Sequence, residues 1–537
     1  MTNMWNENIL SSLRIVQQNN GLDLVTVVSG TETDRMYWQE HFNKTSRDVF
    51  RRDGTTSTIS ISEITRKGNF LGTINAWNLT KQAILKDGGN FPSISLMSMV
   101  FGEGKRLSPF TQALGNRKPA FPTPMWGAYS KTYLRMADLS NLYNNILTNH
   151  LEQSGFQGYV VKWGDEAIIP GLKWNAKKNE YFGVDAIRSV FKTDVTPDLA
   201  REKDWVLTDT RTGLMRFQYS RQDINSLKQR ISELGEGSYD FGVNLGSLAL
   251  SYDFLEIAAH VLQDDVADPR KWVDWDPYVW IALFCRDKSE WEAELSYEDR
   301  CGKTGIRDLE ARYPDFYIKI SKVRAALEAK TGRSFTVRVL DFGDILWTDY
   351  GLHLSLRKSL DLLTTDFVEG RVSRELFGIA NVRDQKGNII IRSSIPEDAD
   401  IQRSVIVDTI IKDPSTIIHE GVIVGGRHKH LFMPFGGSAL FCAADTMKFI
   451  GMHGVAFRSI GSEITILDGG RHTSLFFPEI IENMVSNETI LDYSGKNYYA
   501  PVLGNHLSFE EAGKLMAKMD GKDIESRWLT TWQNWLL

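Results

Sequence analysis

Three short runs, Leu24-Val25-Thr26-Val27-Val28, Ile94 to Val100 and Gly158 to Lys162, are apolar or small at nearly every position instead of at every second one. A strand with one wet face alternates, so a run without alternation needs cover on both faces. Each run ends in a glycine-containing loop: Ser29-Gly30, the stretch from Gly102, and Trp163-Gly164-Asp165-Glu166. Helical stretches are predicted over Thr33 to Phe42, Ser130 to Ser154, and Ile74 to Leu85, the last after a strand from Thr58 to Ile64. Strands alternating with helices in this way specify an α/β chain with a Rossmann-like, mostly parallel sheet. In such sheets ligands lie at the carboxyl ends of the strands, which is where the glycine loops stand.

With 537 residues, two to four structural units are expected at roughly 100–200 residues each. The 62 Lys and Arg residues are offset by 68 Asp and Glu residues, for a net charge of -6. No basic face wide enough to follow a phosphodiester backbone is therefore expected, and nucleic acid is excluded as the main partner. No run of about 18 apolar residues occurs, which argues against membrane spans. The N-terminus lacks a leader pattern, and the three cysteines (Cys285, Cys301, Cys442) form no closed pairwise set and no Cys-x-x-Cys. A cytoplasmic, reducing location fits both observations.

Beyond about Ser373 the texture changes. Ser404 to Val407, Thr409 to Ile411, Ser415 to Ile418 and Gly421 to Gly425 recur at about six residues. This hexapeptide rhythm predicts parallel β-helix coils for about two turns. Helical segments, Ser508 to Met519 and Ile524 to Leu537, close the chain, and Trp528, Trp532, Trp535 and Leu536 read as a docked apolar face. His419, His428 and His430, interleaved with Arg427 and Lys429, read as a solvated strand or loop and not as a metal cluster.

The loop Gly102-Glu103-Gly104-Lys105-Arg106-Leu107-Ser108-Pro109-Phe110-Thr111, with Lys118-Pro119 close behind, carries the chemistry. Glycines 102 and 104 let backbone N–H groups approach an anion, and Arg106 and Lys118 add two cations there. A triphosphate is the natural guest.

This stretch resembles the signature of the sugar-1-phosphate nucleotidyltransferases (nucleoside-diphosphate-sugar pyrophosphorylases), a Gly-x-Gly-x-Arg-Leu-x-Pro-x-Thr loop followed by Lys-Pro. Further elements are similar. Gly164-Asp165 resembles the family's Gly-Asp, whose aspartate holds Mg²⁺, and Trp347-Thr348-Asp349-Tyr350-Gly351 the element bearing the second metal aspartate. Gly183 sits in a stretch resembling the sugar-side glycine turn, and Asn244 and Gly246 in one resembling the strand of sugar-hydroxyl contacts. The resemblance implies a nucleotidyltransferase fold over residues 1–365 and a left-handed β-helix-like domain over 366–537, through which a homo-oligomer would form. It also implies that Arg106 and Lys118 are catalytic, that Gly102, Glu103, Gly104, Lys105, Gly72 and Thr73 bind nucleotide, and that Asp165 and Asp349 bind Mg²⁺.

Two departures stand out. The strands Val25 to Gly30 and Ile59 to Thr73 resemble elements that follow the loop in the family but precede it here, so residues 1–95 are expected to be permuted strands of the same sheet. The family's Glu-Lys pair, whose lysine neutralises the sugar phosphate, is missing from Met215 to Arg221, leaving Arg221 or Arg216 to supply the charge. The implied reaction joins a nucleoside triphosphate to a sugar 1-phosphate or a related phosphorylated polyol, releasing pyrophosphate. A catalytically silent relative that binds nucleotide sugar is the alternative.

Overall fold

The computed structural model describes residues 2–18, 21–51, 53–63, 68–102, 104–192, 196–234, 238–268, 276–301, 305–491 and 496–535. The chain opens with α1 (Thr2–Gln18), β1 (Leu24–Ser29), α2 (Glu32–Val49), β2 (Ser57–Ser62), α3 (Gly68–Lys86) and β3 (Ile94–Met99). Every residue of β1 and β3 is buried. Val25, Val27, Leu96 and Val160 face a core built with Trp38 and Phe42 of α2. Leu24, Val28, Met97 and Met99 face a second core built with Phe70, Leu71 and Ile74 of α3. Cover on both sides is what the unbroken apolar runs require. Thr31 starts α2 by accepting a hydrogen bond from the Asp34 amide, with Glu32 and Asp34 at the positive end of the helix.

The chain continues through β4 (Pro122–Trp126), β5 (Tyr133–Arg135), α4 (Met136–Gln153), β6 (Gly158–Trp163), β7 (Glu166–Ile169), β8 (Ala186–Phe191), β9 (Asp204–Asp209), β10 (Leu214–Ser220), β11 (Tyr239–Ser251), β12 (Val337–Asp341) and β13 (Leu346–Asp349). The nine-stranded main sheet runs β2-β1-β3-β6-β11-β8-β12-β10-β9. Its first four strands are parallel, with Val25 opposite Leu96 and Leu96 opposite Val160. The strand beginning at Leu24 therefore shares a sheet with the one leading to the glycine loop. Strand β11 is antiparallel to both β6 and β8 and also pairs β9, which closes β11, β8, β12, β10 and β9 into a ring. The predicted helix from Ser130 starts only at Met136, because Tyr133–Arg135 is drawn into a hairpin with β4.

The C-terminal region is a coil of parallel strands. Val405, Val422, Ser438, Val455 and Arg471 stand in register one coil apart, so a coil takes 16 or 17 residues. The six-residue rhythm marks successive sides of one coil, and the coil extends from Ile389 to Phe476, well past the two turns expected. Later coils bury Ser438, Ala439, Arg471 and His472 in place of β-branched residues, which hides the repeat. The corners reuse left-handed backbone at Arg392, Asp408, Gly425, Phe441 and Arg458. His428 is fully buried on its coil side, contrary to the solvated reading of that histidine. One apolar core joins α1, α2, the sheet, the coil and the C-terminal helices, with Phe121 stacked on Phe457 at 4.4 Å. Trp528 is docked, whereas Leu536 lies outside the described residues. No described helix is long and apolar enough to cross a membrane.

Candidate active site

The glycine loop leaves the carboxyl end of β3. Gly102 and Gly104 have φ of +116° and +60°, left-handed values that glycine adopts without penalty. A Cβ on Gly104 would stand 2.6 Å from Thr111 Cγ2 and 2.9 Å from Lys118 Cβ, so the loop is folded directly against the Lys118 segment. We expect Gly104→Ala to cost about 1–3 kcal/mol by combining backbone strain with that clash, read as a lowered urea midpoint; an unchanged midpoint would show the loop to be loosely held. Arg106 is exposed at the loop, and Glu103 lies outside the described residues. The Lys105 ammonium donates to the Tyr499 hydroxyl at 3.3 Å and lies 5.2 Å from the Tyr498 ring centre.

Lys118 Nζ instead makes an ion pair with Asp165, in the turn between β6 and β7. Strand β13 runs antiparallel to β7 with Asp349 opposite Glu166, and the Tyr350 amide donates to the Asp165 carbonyl at 3.3 Å. The Asp349 carboxylate accepts from the Gly351 amide at 2.5 Å. A Cβ on Gly351 would stand 2.7 Å from Asp349 Oδ1 and 3.1 Å from Lys118 Nζ. Two aspartates 184 positions apart and one lysine thus meet around Gly351. Burial alone would raise the Asp165 carboxyl; the Lys118 ammonium outweighs it and holds the group below its usual range. Burial keeps the neighbouring Glu166 carboxyl above its usual range, although Lys162 Nζ lies at 2.6 Å, and Asp165 and Asp349 push it the same way. The Trp347 indole also donates to Glu166, at 3.0 Å.

Among the described residues no set of three or more His, Cys, Asp or Glu side chains is arranged to hold a metal. Mg²⁺ commonly takes only one or two protein carboxylates and fills its other positions with water and phosphate oxygen. Asp165 and Asp349 offer hard oxygen donors, the donor chemistry a divalent cation such as Mg²⁺ takes, and the Lys118 ammonium is the cation paired with Asp165 here.

The helix His353–Asp361 ties this corner together. Burial, and then the charge of Arg471, lower the His353 pKa to about 3, so the ring is neutral and its Nε2–H donates to the Ser108 carbonyl at 2.7 Å. The strand of Asp349 is thereby anchored to the glycine loop.

A cavity of about 180 Å³ opens beside this cluster, lined by Thr73, Lys162, Trp163, Arg188, Asn244 and Gly246 among others. Gly246, at φ +73°, lets the Trp163 indole approach to 3.1 Å of where a Cβ would be. Gly246→Val is expected to fill the cavity mouth and abolish sugar-phosphate binding in calorimetry, at a cost in stability from the left-handed backbone that circular dichroism follows; unchanged binding would remove the cavity from the site. Gly72 faces the buried Glu63 carboxylate instead of the cavity. Gly183 precedes β8, at the opposite end of the sheet from Asp165, in a separate pocket with Arg333. Arg221 is exposed beyond the end of β10 and does not line the cavity. The cations in the cavity wall are Lys162 and Arg188; Arg188, buried in mid-strand, donates to Gln218 at 2.5 Å and lies 4.6 Å over the Trp280 ring. The sequence reading missed Lys162, Glu166, Arg188, Gln218 and His353. A charged residue inside the apolar run Ala186-Ile187-Arg188-Ser189-Val190 was the available signal.

No protein-family model matches the chain, and no curated protein matches it. Among solved structures, the inositol-1-phosphate CTP transferase from T. maritima aligns with 66% of this chain and 96% of its own, at 13% identity and a TM-score of 0.21.

Proposed function

We propose that the chain is a nucleotidyltransferase that joins a nucleoside triphosphate to a sugar 1-phosphate, or a related phosphorylated polyol, and releases pyrophosphate. The observation that carries this reading is the meeting of Lys118, Asp165 and Asp349 beside the glycine loop, with the Thr73–Asn244–Gly246 cavity adjoining them. A sugar phosphate is already anionic near neutral pH, so its oxygen attacks the α-phosphorus without a strong base, and catalysis reduces to alignment and charge neutralisation. Loop amides and Arg106 hold the triphosphate, and Lys118 turns from Asp165 to the departing pyrophosphate. Asp165 and Asp349 would hold Mg²⁺, which supplies positive charge to the phosphate oxygens. Arg188 or Lys162 takes the neutralising role of the missing lysine.

The test is pyrophosphate release across ATP, GTP, UTP, CTP and dTTP with a panel of sugar 1-phosphates and inositol 1-phosphate. Turnover for one pair, dependent on Mg²⁺, supports the reading; nucleotide binding without turnover for any pair favours the silent alternative. Arg106→Ala is expected to cost about 2–4 kcal/mol in kcat/KM, as loss of one electrostatic stabiliser does. A near-wild-type value would reduce the loop to a turn.

A further inference from the structure

A larger cavity, about 530 Å³, lies elsewhere. It is enclosed by α2, the β4–β5 hairpin, two corners of the coil and the C-terminal helix Gly521–Asn534, and it shares no lining residue with the smaller cavity. Its volume falls within the roughly 300–1,000 Å³ of small-molecule sites.

Two features of its wall define the guest. The first is charge. Lys44, Lys131, Arg135, Arg458 and Lys522 line it, against Glu40 and Glu525. Glu40 is paired with Lys522, and Glu525 is held by Arg458 at 2.8 Å and Arg135 at 3.5 Å. Lys44 and Lys131 are exposed and form no ion pair among the described residues, so the cavity carries a surplus of positive charge. Burial would raise the Glu525 carboxyl, yet Arg458 and Arg135 bring it down to about 2, as a field of that sign requires. The second feature is aromatic surface. Trp126 is 42% exposed and meets Tyr133 edge-on at 5.1 Å. On the C-terminal helix Trp528 and Trp532 stack at 5.6 Å, with the Arg458 guanidinium 4.4 Å from the Trp528 ring centre. Flat rings beside unpaired cations suit a ligand that is itself flat at one end and anionic at the other.

We propose that this cavity is a second binding site, for a small molecule of the nucleoside phosphate class, its base against the exposed Trp126 and its phosphates at Lys44 and Lys131. The site does not depend on the reaction proposed above. Arg117, the residue before Lys118, pairs with Asp34 at 2.6 Å and lies 4.6 Å over the Tyr37 ring that walls the cavity.

The experiment is calorimetry on the full chain with ADP, CDP, GDP and UDP, and with inorganic pyrophosphate as the ringless control, in wild type, Lys44→Glu/Lys131→Glu, Trp126→Ala and Arg106→Ala. Both lysines and Trp126 are exposed, so these variants are expected to fold, and circular dichroism checks it. At least one nucleoside diphosphate should bind Arg106→Ala, with at least tenfold loss in Lys44→Glu/Lys131→Glu and in Trp126→Ala, and pyrophosphate should bind at least tenfold more weakly. Absence of binding to Arg106→Ala by all four diphosphates, or binding indifferent to the lysine and tryptophan changes, would overturn the site. Failure of the reaction proposal would instead show as absent pyrophosphate release, which these titrations do not read.

Discussion

Lys118→Ala is expected to lower pyrophosphate release by a factor of about 10²–10³, the usual effect of removing one preorganised charge from a transition state. Two roles converge on this side chain. Its Nζ is the ion-pair partner of Asp165 and stands within reach of the glycine that Asp349 caps. Without it, burial is opposed by a backbone hydrogen bond at Asp165 and then by the more distant Lys162, so the Asp165 carboxyl rises from its lowered position. A carboxyl whose folded pKa is depressed supports the site above that pKa and fails as pH falls through it. In Lys118→Ala the acid limb of the rate profile therefore moves to higher pH. Lys118→Arg keeps the charge but replaces a point ammonium by a fork, and should restore the limb more fully than the rate. Because Lys118 and Asp165 act as one unit, Lys118→Ala/Asp165→Asn should be little worse than either single change. Losses that simply add, with an unmoved acid limb, would separate Lys118 from Asp165 and leave the pair a structural contact.

What could be read from the sequence was what local patterning dictates. Leu24 to Val28 and Ile94 to Val100 were legible as doubly covered strands because nearly every side chain in them is apolar or small, and the glycine loop was legible because its residue types are contiguous. The ring closed by β11 and β9 was not, since its pairings are set by distant contacts and its strands mix buried with half-buried positions. The same applies to the cavity cation. A reading along the chain looks for charge after a strand, as at Arg221, whereas the fold buries Arg188 in mid-strand, where it donates to Gln218 and lies over the Trp280 face. The meeting of Lys118 with Asp165 and Asp349 depends on β7 and β13 pairing across 180 residues, which spacing alone does not reveal.

Acid should unfold this protein early, because buried histidines are held neutral, His353, His428 and His472 more strongly than His150. His353 is lowered to about 3, and His428 and His472 to about 4, from an ordinary 6.5, in each case chiefly by burial. Neither ring nitrogen of His428 has a hydrogen-bond partner among the described residues, and a Cβ on Gly426 would stand 2.9 Å from its Nε2, so a protonated ring has neither acceptor nor room. His472 is in contact with the Ser459 hydroxyl at 2.8 Å inside the same coil. Between pH 6.5 and about 4 the unfolded chain binds protons at these residues that the folded chain refuses, so stability falls as pH falls, by up to about 1.4 kcal/mol per pH unit for each histidine. From pH 7 to pH 5 the three together remove about 6 kcal/mol, a large share of the roughly 5–15 kcal/mol that holds a domain folded. Glu166, Glu294 and Asp361, whose carboxyls are raised, act in the opposite sense and reduce the net loss. The sharper measurement is therefore a difference: urea midpoints at pH 7 and pH 5 for wild type and His428→Asn. The variant starts less stable at pH 7, where a well-packed ring is lost, but its decline between the two pH values should be smaller by about 2 kcal/mol, the share of one histidine over 1.5 pH units. An identical decline in both proteins would mean that the coil admits water or relaxes around a charged His428, and the acid sensitivity would then have to be sought at His353 beside the glycine loop.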